Sequence, residues 1–183
     1  MKKLICVLVL VLMAGAVSVF AIDLTSYPVG TEAGDFMINI GAGFGSVRDG
    51  NMMVPPLSAS VDYNLPIAGL PFYVGGIFGF AMADRSAGGY DFTYTTFAFG
   101  GRFGYHFNWG VENLDTYAGV VLGYEMYRTK VEWSGNDESD SDGYFLWGVD
   151  IGVRYFFTPV IGVFAEVGYS ALSFVKAGLA LKF

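Results

Sequence analysis

The chain has 183 residues, a formal net charge of −7, 54% hydrophobic residues and 17% aromatic residues. That length suits one domain, and the negative balance excludes nucleic acid, which requires a basic footprint. A mean hydropathy of +0.48 points to a membrane, and the sequence must then say which kind of span carries it.

The first segment is a targeting signal. Lys2 and Lys3 form a basic start, Leu4 to Val17 is apolar, and Val19-Phe20-Ala21 supplies a peptidase site. Residues 1–21 are therefore expected to be a signal peptide cut after Ala21; the apolar stretch is short for an uncleaved anchor. Cys6, the only cysteine, stands too close to the lysines for a lipoprotein site and leaves with the signal. What remains has no thiol chemistry and is more acidic by the two lost lysines. Residues 22–34 carry Pro28, Gly30 and Gly34 with little periodicity, and read as a lead-in without its own fold.

A transmembrane helix needs ~20 consecutive apolar residues. The best later run, Phe72 to Ala83, is shorter, ends at Asp84 and is broken by Gly75, Gly76 and Gly79. The apolar content instead alternates with period two, the mark of strands with one oily face. In lipid such strands must close into a barrel to pair every backbone group.

Eight segments follow in order: Asp35 to Ser46, Pro56 to Leu65, Phe72 to Met82, one ending near Phe107, Asp115 to Arg128, Tyr144 to Phe157, Ile161 to Ser170 and Phe174 to Phe183. Ile40, Val61, Phe78, Phe99, Val120, Val149, Val167, Tyr169 and Leu179 mark the outward face. The predicted fold is all-β: an eight-stranded antiparallel up-and-down transmembrane barrel over 35–183, with an even strand count. Short links (Leu65–Phe72, Phe107–Asp115, Phe157–Ile161) alternate with longer or more polar ones (Val47–Pro55, Ala83–Phe92, Thr129–Gly143); Ser170–Ser173 departs from that pattern and makes its rim low. Aromatic residues cluster near the segment ends, as two interfacial girdles would require.

The opposite face carries Asp62, Arg102, Glu125, Asp150, Arg154, Glu166 and Lys176. Both signs are present, and an eight-stranded barrel is just wide enough for side chains to fill it. The expectation is a structural ion-pair plug, with inward glycines making room for the arginines; a narrow gated conduit is the alternative. Phe164, Phe174, Tyr117 and Val121 also point inward and could line an apolar pocket or simply pack.

His106, the only histidine, falls inward at the short-link end without an evident Ser-His-acid spacing, so no catalytic residue is assigned. The acidic run Asn136 to Gly143 reads as a solvated loop. It has half the pattern of a calcium loop, but the closing glutamate would fall at Val149, so no metal ligand or cofactor is assigned.

The last segment ends Leu179-x-Leu181-x-Phe183, which resembles the C-terminal signature that outer-membrane barrels present to their assembly machinery. From Asp35 to Phe183 the chain resembles the small OmpA/OmpX-like barrel superfamily, including OmpW-like proteins. The resemblance implies residence in the outer membrane of a diderm bacterium, contact with outer-membrane lipids, and insertion by the barrel-assembly machinery with Leu179, Leu181 and Phe183 as the signal. Residues 22–34 are expected to be a periplasmic lead-in, and the chain is expected to be a monomer and not an enzyme. The expected role is a structural or surface-interaction scaffold with loops outside the cell and an unknown extracellular ligand. The alternative is a narrow pore or OmpW-like channel for small, apolar solutes.

Overall fold

The computed structural model describes residues 22–45, 51–67, 70–134 and 136–183. The expected signal peptide, residues 1–21, and the tip of the first loop, 46–50, lie outside the described residues. Eight strands follow one another: β1 Phe36–Gly45, β2 Asn51–Asn64, β3 Phe72–Ala87, β4 Tyr90–Phe107, β5 Leu114–Trp133, β6 Asn136–Phe156, β7 Ile161–Ser170 and β8 Ser173–Lys182. Each pairs antiparallel with the next, and β1 pairs with β8 to close the barrel. Closure leaves no edge within the closed ring, so backbone groups are paired without water. Phe36 and Phe183 exchange two backbone hydrogen bonds at the seam, of 2.8 and 3.0 Å.

Burial is inside out relative to a water-soluble protein. Ile40, Phe78, Phe99, Leu122, Val149, Ile151 and Leu179 stand exposed on the outer wall. Arg102, Arg154, Asp62 and Glu166 are buried in the lumen. A continuous oily exterior of this size marks a surface that meets lipid.

Three segments read as loops are strand in whole or in part. The Ala83–Phe92 stretch continues the β3–β4 ladder to Ala87↔Tyr90, turning through Gly88 and Gly89 at φ +64° and +84°. Positive φ at both central residues is the hairpin geometry that matches strand twist, and glycine adopts it without a steric cost. Likewise the acidic run Asn136 to Gly143 pairs residue for residue with β5, from Trp133↔Asn136 to Met126↔Gly143. Ladder bonds, the cross-strand contact of Lys130 with Asp137 and the same-strand pair of Lys130 with Glu132 satisfy a ribbon wet on both faces. In the first loop, Asn51 to Pro55 belongs to β2.

The opposite case is the β7–β8 turn. Ala171 and Leu172 adopt φ +46° and +71°, a backbone that side chains disfavour. Both are buried against Ile77, Ala81, Ala98, Val121 and Leu146. Apolar burial offsets the backbone strain, so this short turn folds into the barrel mouth.

The lead-in lies across the end where both strand termini meet. Asp23 bridges to Asn108, Asn108 donates to Ser26 and to the Tyr27 carbonyl, and Lys182 donates to the Gly30 carbonyl. The Tyr27 hydroxyl lies 2.8 Å from both the Leu65 and Phe72 carbonyl oxygens. Burial pushes its phenol up to about 12, so it remains a donor at neutral pH.

Candidate functional site: the barrel lumen

Strand alternation sends every second side chain inward, and register decides which of them meet. All seven charges singled out in the sequence are buried in the lumen: Asp62, Arg102, Glu125, Asp150, Arg154, Glu166 and Lys176. Six of the seven join one network.

Arg154 of β6 holds its lower part. Its guanidinium donates to Asp62 at 2.5 Å, to Asp115 at 2.8 Å and to the Asn39 side-chain oxygen, Oδ1, at 2.9 Å. Its Cζ also sits 4.0 Å from the Tyr117 ring centroid, a geometry that favours a desolvated cation. Arg102 of β4 holds the next level. It donates to Ser60 at 2.8 Å, and its Nη2 faces Glu166 at 3.1 Å and Asp150 at 3.3 Å. Lys176 then pairs with Glu166, its register partner, and donates to Ser170 at 2.8 Å. Tyr117 donates to Glu166 at 2.7 Å. Each fork is planar and multiply bonded, which suits arginine and not lysine.

The network takes a member from seven of the eight strands: Asn39, Asp62, Arg102, Tyr117, Arg154, Glu166 and Lys176. The eighth strand, β3, contributes Tyr73, whose ring lies 5.7 Å from the Arg102 Cζ. The inward glycines therefore serve the rings more than the arginines. A methyl group at Gly104 or Gly119 would overlap Tyr73, and one at Gly152 would overlap Tyr117. Small residues sit there because two phenols fill the lumen between the guanidinium groups.

Toward the lead-in, His106 Nδ1 lies 2.6 Å from Asp115 and Nε2 lies 3.1 Å from the Asn64 side-chain oxygen. Both ring nitrogens are thus occupied, and the histidine is fully buried. Toward the other end the lumen turns apolar, with Ile77, Val121, Leu146 and the buried turn residue Leu172. Among the described residues, no group of three or more His, Cys, Asp or Glu side chains is arranged to hold a metal ion.

Glu125 stands apart from the network. It is 5% exposed, its Oε2 accepts from the Tyr169 hydroxyl at 3.3 Å, and its Oε1 has no hydrogen-bond partner. Two outward or inward assignments change here. Tyr169, read as outward, is partly buried and turns its hydroxyl to Glu125, because the ladder shifts register between Val167 and Ser170. Phe174, read as inward, is exposed and packs on Tyr169 with ring centroids 5.4 Å apart. A bulge re-aims side chains locally, and strict alternation misses it.

Sequence reasoning also missed Asp115, Asn39, Asn64 and Tyr73. Two carried a signal: Asp115 shares the parity of Glu125 on β5, and Asn64 that of Asp62 on β2, whereas the other inward positions beside Asn39 and Tyr73 are apolar or glycine. Uncharged residues and a strand-end acid simply carry less contrast than mid-strand arginines.

Comparisons with known proteins agree with this architecture. A crystal structure of Ail, the attachment invasion locus protein of Yersinia pestis, superposes with a TM-score of 0.55 at 19% identity, covering 83% of this chain and 100% of that one. The structure of Ail with the heparin analogue sucrose octasulfate gives 0.57 at 18% identity, with the same coverage. A major outer membrane protein from Thermus thermophilus gives 0.55 at 15% identity, again over 83% and 100%. No match is found among curated proteins. The outer membrane protein beta-barrel domain family matches residues 7–182. The chain belongs to that family and is an outer-membrane β-barrel protein.

Proposed function

We propose that this protein is a sealed scaffold that displays the outer ribbon of β3–β6 beyond the cell surface. The observation that carries the reading is the lumen: buried side chains follow one another from His106 through Arg154 and Arg102 to Leu172 and Leu146. An eight-stranded interior holds side chains and little else. Neither fork can move aside without stranding a buried carboxylate, which costs several kcal/mol, ~3–5 for a broken pair.

Charge argues for the kind of partner. The tip of the β5–β6 ribbon carries Glu132, Asp137, Glu138, Asp140 and Asp142 against Arg128 and Lys130. Ail binds a heparin analogue in its crystal, but a sulfated polyanion would be repelled by this ribbon. A cationic surface is the complementary partner. Occupied ring nitrogens at His106 favour a non-enzymatic role. The barrel works as a monomer, reaches the membrane after cleavage at Ala21, and is inserted through the Leu179-Leu181-Phe183 end.

Planar-bilayer recording tests the central point. The purified barrel is expected to give no reproducible single-channel step. A stable step would favour the narrow-pore reading and defeat the sealed one. Mass spectrometry of the membrane-extracted protein is expected to find Ile22 as its first residue.

A further inference from the structure

We propose that His106 is a fixed imidazolium that fastens the lead-in through Asn64, and that losing its proton as the pH rises loosens that fastening. The hydrogen-bond roles assign the protons. The Asn64 amide is oriented by its Nδ2, which donates to the Glu32 carbonyl at 2.9 Å. Its oxygen is therefore the atom 3.1 Å from His106 Nε2. An amide oxygen only accepts, so Nε2 carries a hydrogen. On the other side of the ring, Nδ1 lies 2.6 Å from Asp115 Oδ1. The second Asp115 oxygen accepts from the Arg154 guanidinium at 2.8 Å. A carboxylate held by a guanidinium is an acceptor toward the ring as well. A ring that donates from both nitrogens is an imidazolium.

The surroundings suit that charge. Among the described residues the buried acids Asp62, Asp115, Glu125, Asp150 and Glu166 outnumber Arg102, Arg154 and Lys176, and one more cation lowers the imbalance. Strand β5 brings Asp115 and the Tyr117 ring to His106, β3 the Tyr73 ring, β2 Asn64 and the lead-in the Tyr27 ring. Arg154 of β6 reaches the ring only through Asp115. Glu32 and Asp35 of the lead-in approach Asn64 through their backbone carbonyls.

Asn64 holds the end of the lead-in in three ways. Its carbonyl accepts from the Gly34 N–H at 2.9 Å, its own N–H donates to the Asp35 carbonyl at 2.9 Å, and its side chain donates to Glu32. The third depends on the histidine. A neutral His106 keeps its Nδ1 hydrogen on Asp115 and turns a bare Nε2 toward the Asn64 oxygen. Two acceptors repel. Turning the amide over repairs that contact only by setting its oxygen against the Glu32 carbonyl. Fastening is thus present below the titration of His106 and lost above it. Tyr27, a second anchor of the lead-in, is held up to about 12 and stays a donor at neutral and mildly alkaline pH.

The test labels the untagged, membrane-extracted barrel with nitrogen-15 histidine and records the ring nitrogens by NMR in detergent, from about pH 6 to about pH 10. The chain has one histidine, so the signals belong to His106. Both nitrogens are expected to carry hydrogen at neutral pH, and one is expected to lose it as the pH rises. Hydrogen-exchange protection of the Gly34 amide, taken relative to the unstructured rate at each pH, should fall about two- to tenfold over the same change, the worth of one hydrogen bond. Protection of Val120 in mid-barrel should not follow. His106→Gln, which cannot titrate, should give a Gly34 protection that no longer changes with pH. Asn64→Asp keeps an acceptor for the ring but has no N–H for Glu32, so it should retain both ring hydrogens and protect Gly34 weakly at every pH. Heat-modifiable gel mobility checks that each variant is folded; if His106→Gln is not, the wild-type spectra and Asn64→Asp decide the matter. A single ring N–H at neutral pH, Gly34 protection that does not follow the histidine, or a wild-type pH profile in His106→Gln would overturn the proposal.

Discussion

The lower lumen and the outer ribbon use the same chemistry to opposite effect. In the lumen, Arg154 meets Asp115, its register partner across β5 and β6, with both side chains buried. In the ribbon, the same two strands bring Lys130 to Asp137 at 3.5 Å, with both largely exposed. Register supplies proximity in each case; only solvent differs. Removing water makes a pair obligatory, because either partner alone is stranded. Leaving water in place makes it optional. The strands are continuous through both regions, so the membrane boundary is set by what surrounds the ladder and not by a change in the ladder itself.

The largest effect expected from this contrast is at Arg154. Arg154→Ala should lose ~3–5 kcal/mol in urea unfolding, since Asp115 loses its guanidinium and Asp62 the nearer of its two. A wild-type midpoint would break the comparison at once. Leu172→Ala should come next, at ~2–4 kcal/mol, because the turn is held in its strained backbone by burial among Ile77, Val121 and Leu146. Gly119→Ala should cost ~1–3 kcal/mol by overpacking against Tyr73; pairing it with Tyr73→Phe, which removes the crowding hydroxyl, should recover part of the loss. Lys130→Ala should leave the unfolding midpoint unchanged within error, at low and high salt alike. A measurable shift there would mean that the ribbon is more than a display surface.

Much of this fold was written in period two. The inward parity of Asp62, Arg102, Asp150, Arg154, Glu166 and Lys176 could be read from the strands alone, because a charge facing lipid is so costly that its side is not ambiguous. Ladder length was harder to read. Asn136 to Gly143 has the composition of a loop, yet it is strand, since above the membrane neither face needs to be oily and only pairing with β5 decides. The bulge near Gly168 was invisible for another reason. It depends on how the low β7–β8 turn packs into the mouth, a long-range matter that local alternation cannot carry. The partners within the network were equally hidden: parity says which side chains point inward, whereas stagger between strands says which of them touch.

The lead-in strap has a consequence for the order of assembly. Its anchors are spread around the whole rim: Asn108 after β4, the Leu65 and Phe72 carbonyls flanking the β2–β3 turn, and Lys182 at the end of β8. No subset of early strands presents all of them. The strap can therefore fasten fully only after the final strand has met the first, and it works as a seal of completion: an unfinished barrel leaves Gly30 without Lys182, and a finished one joins them.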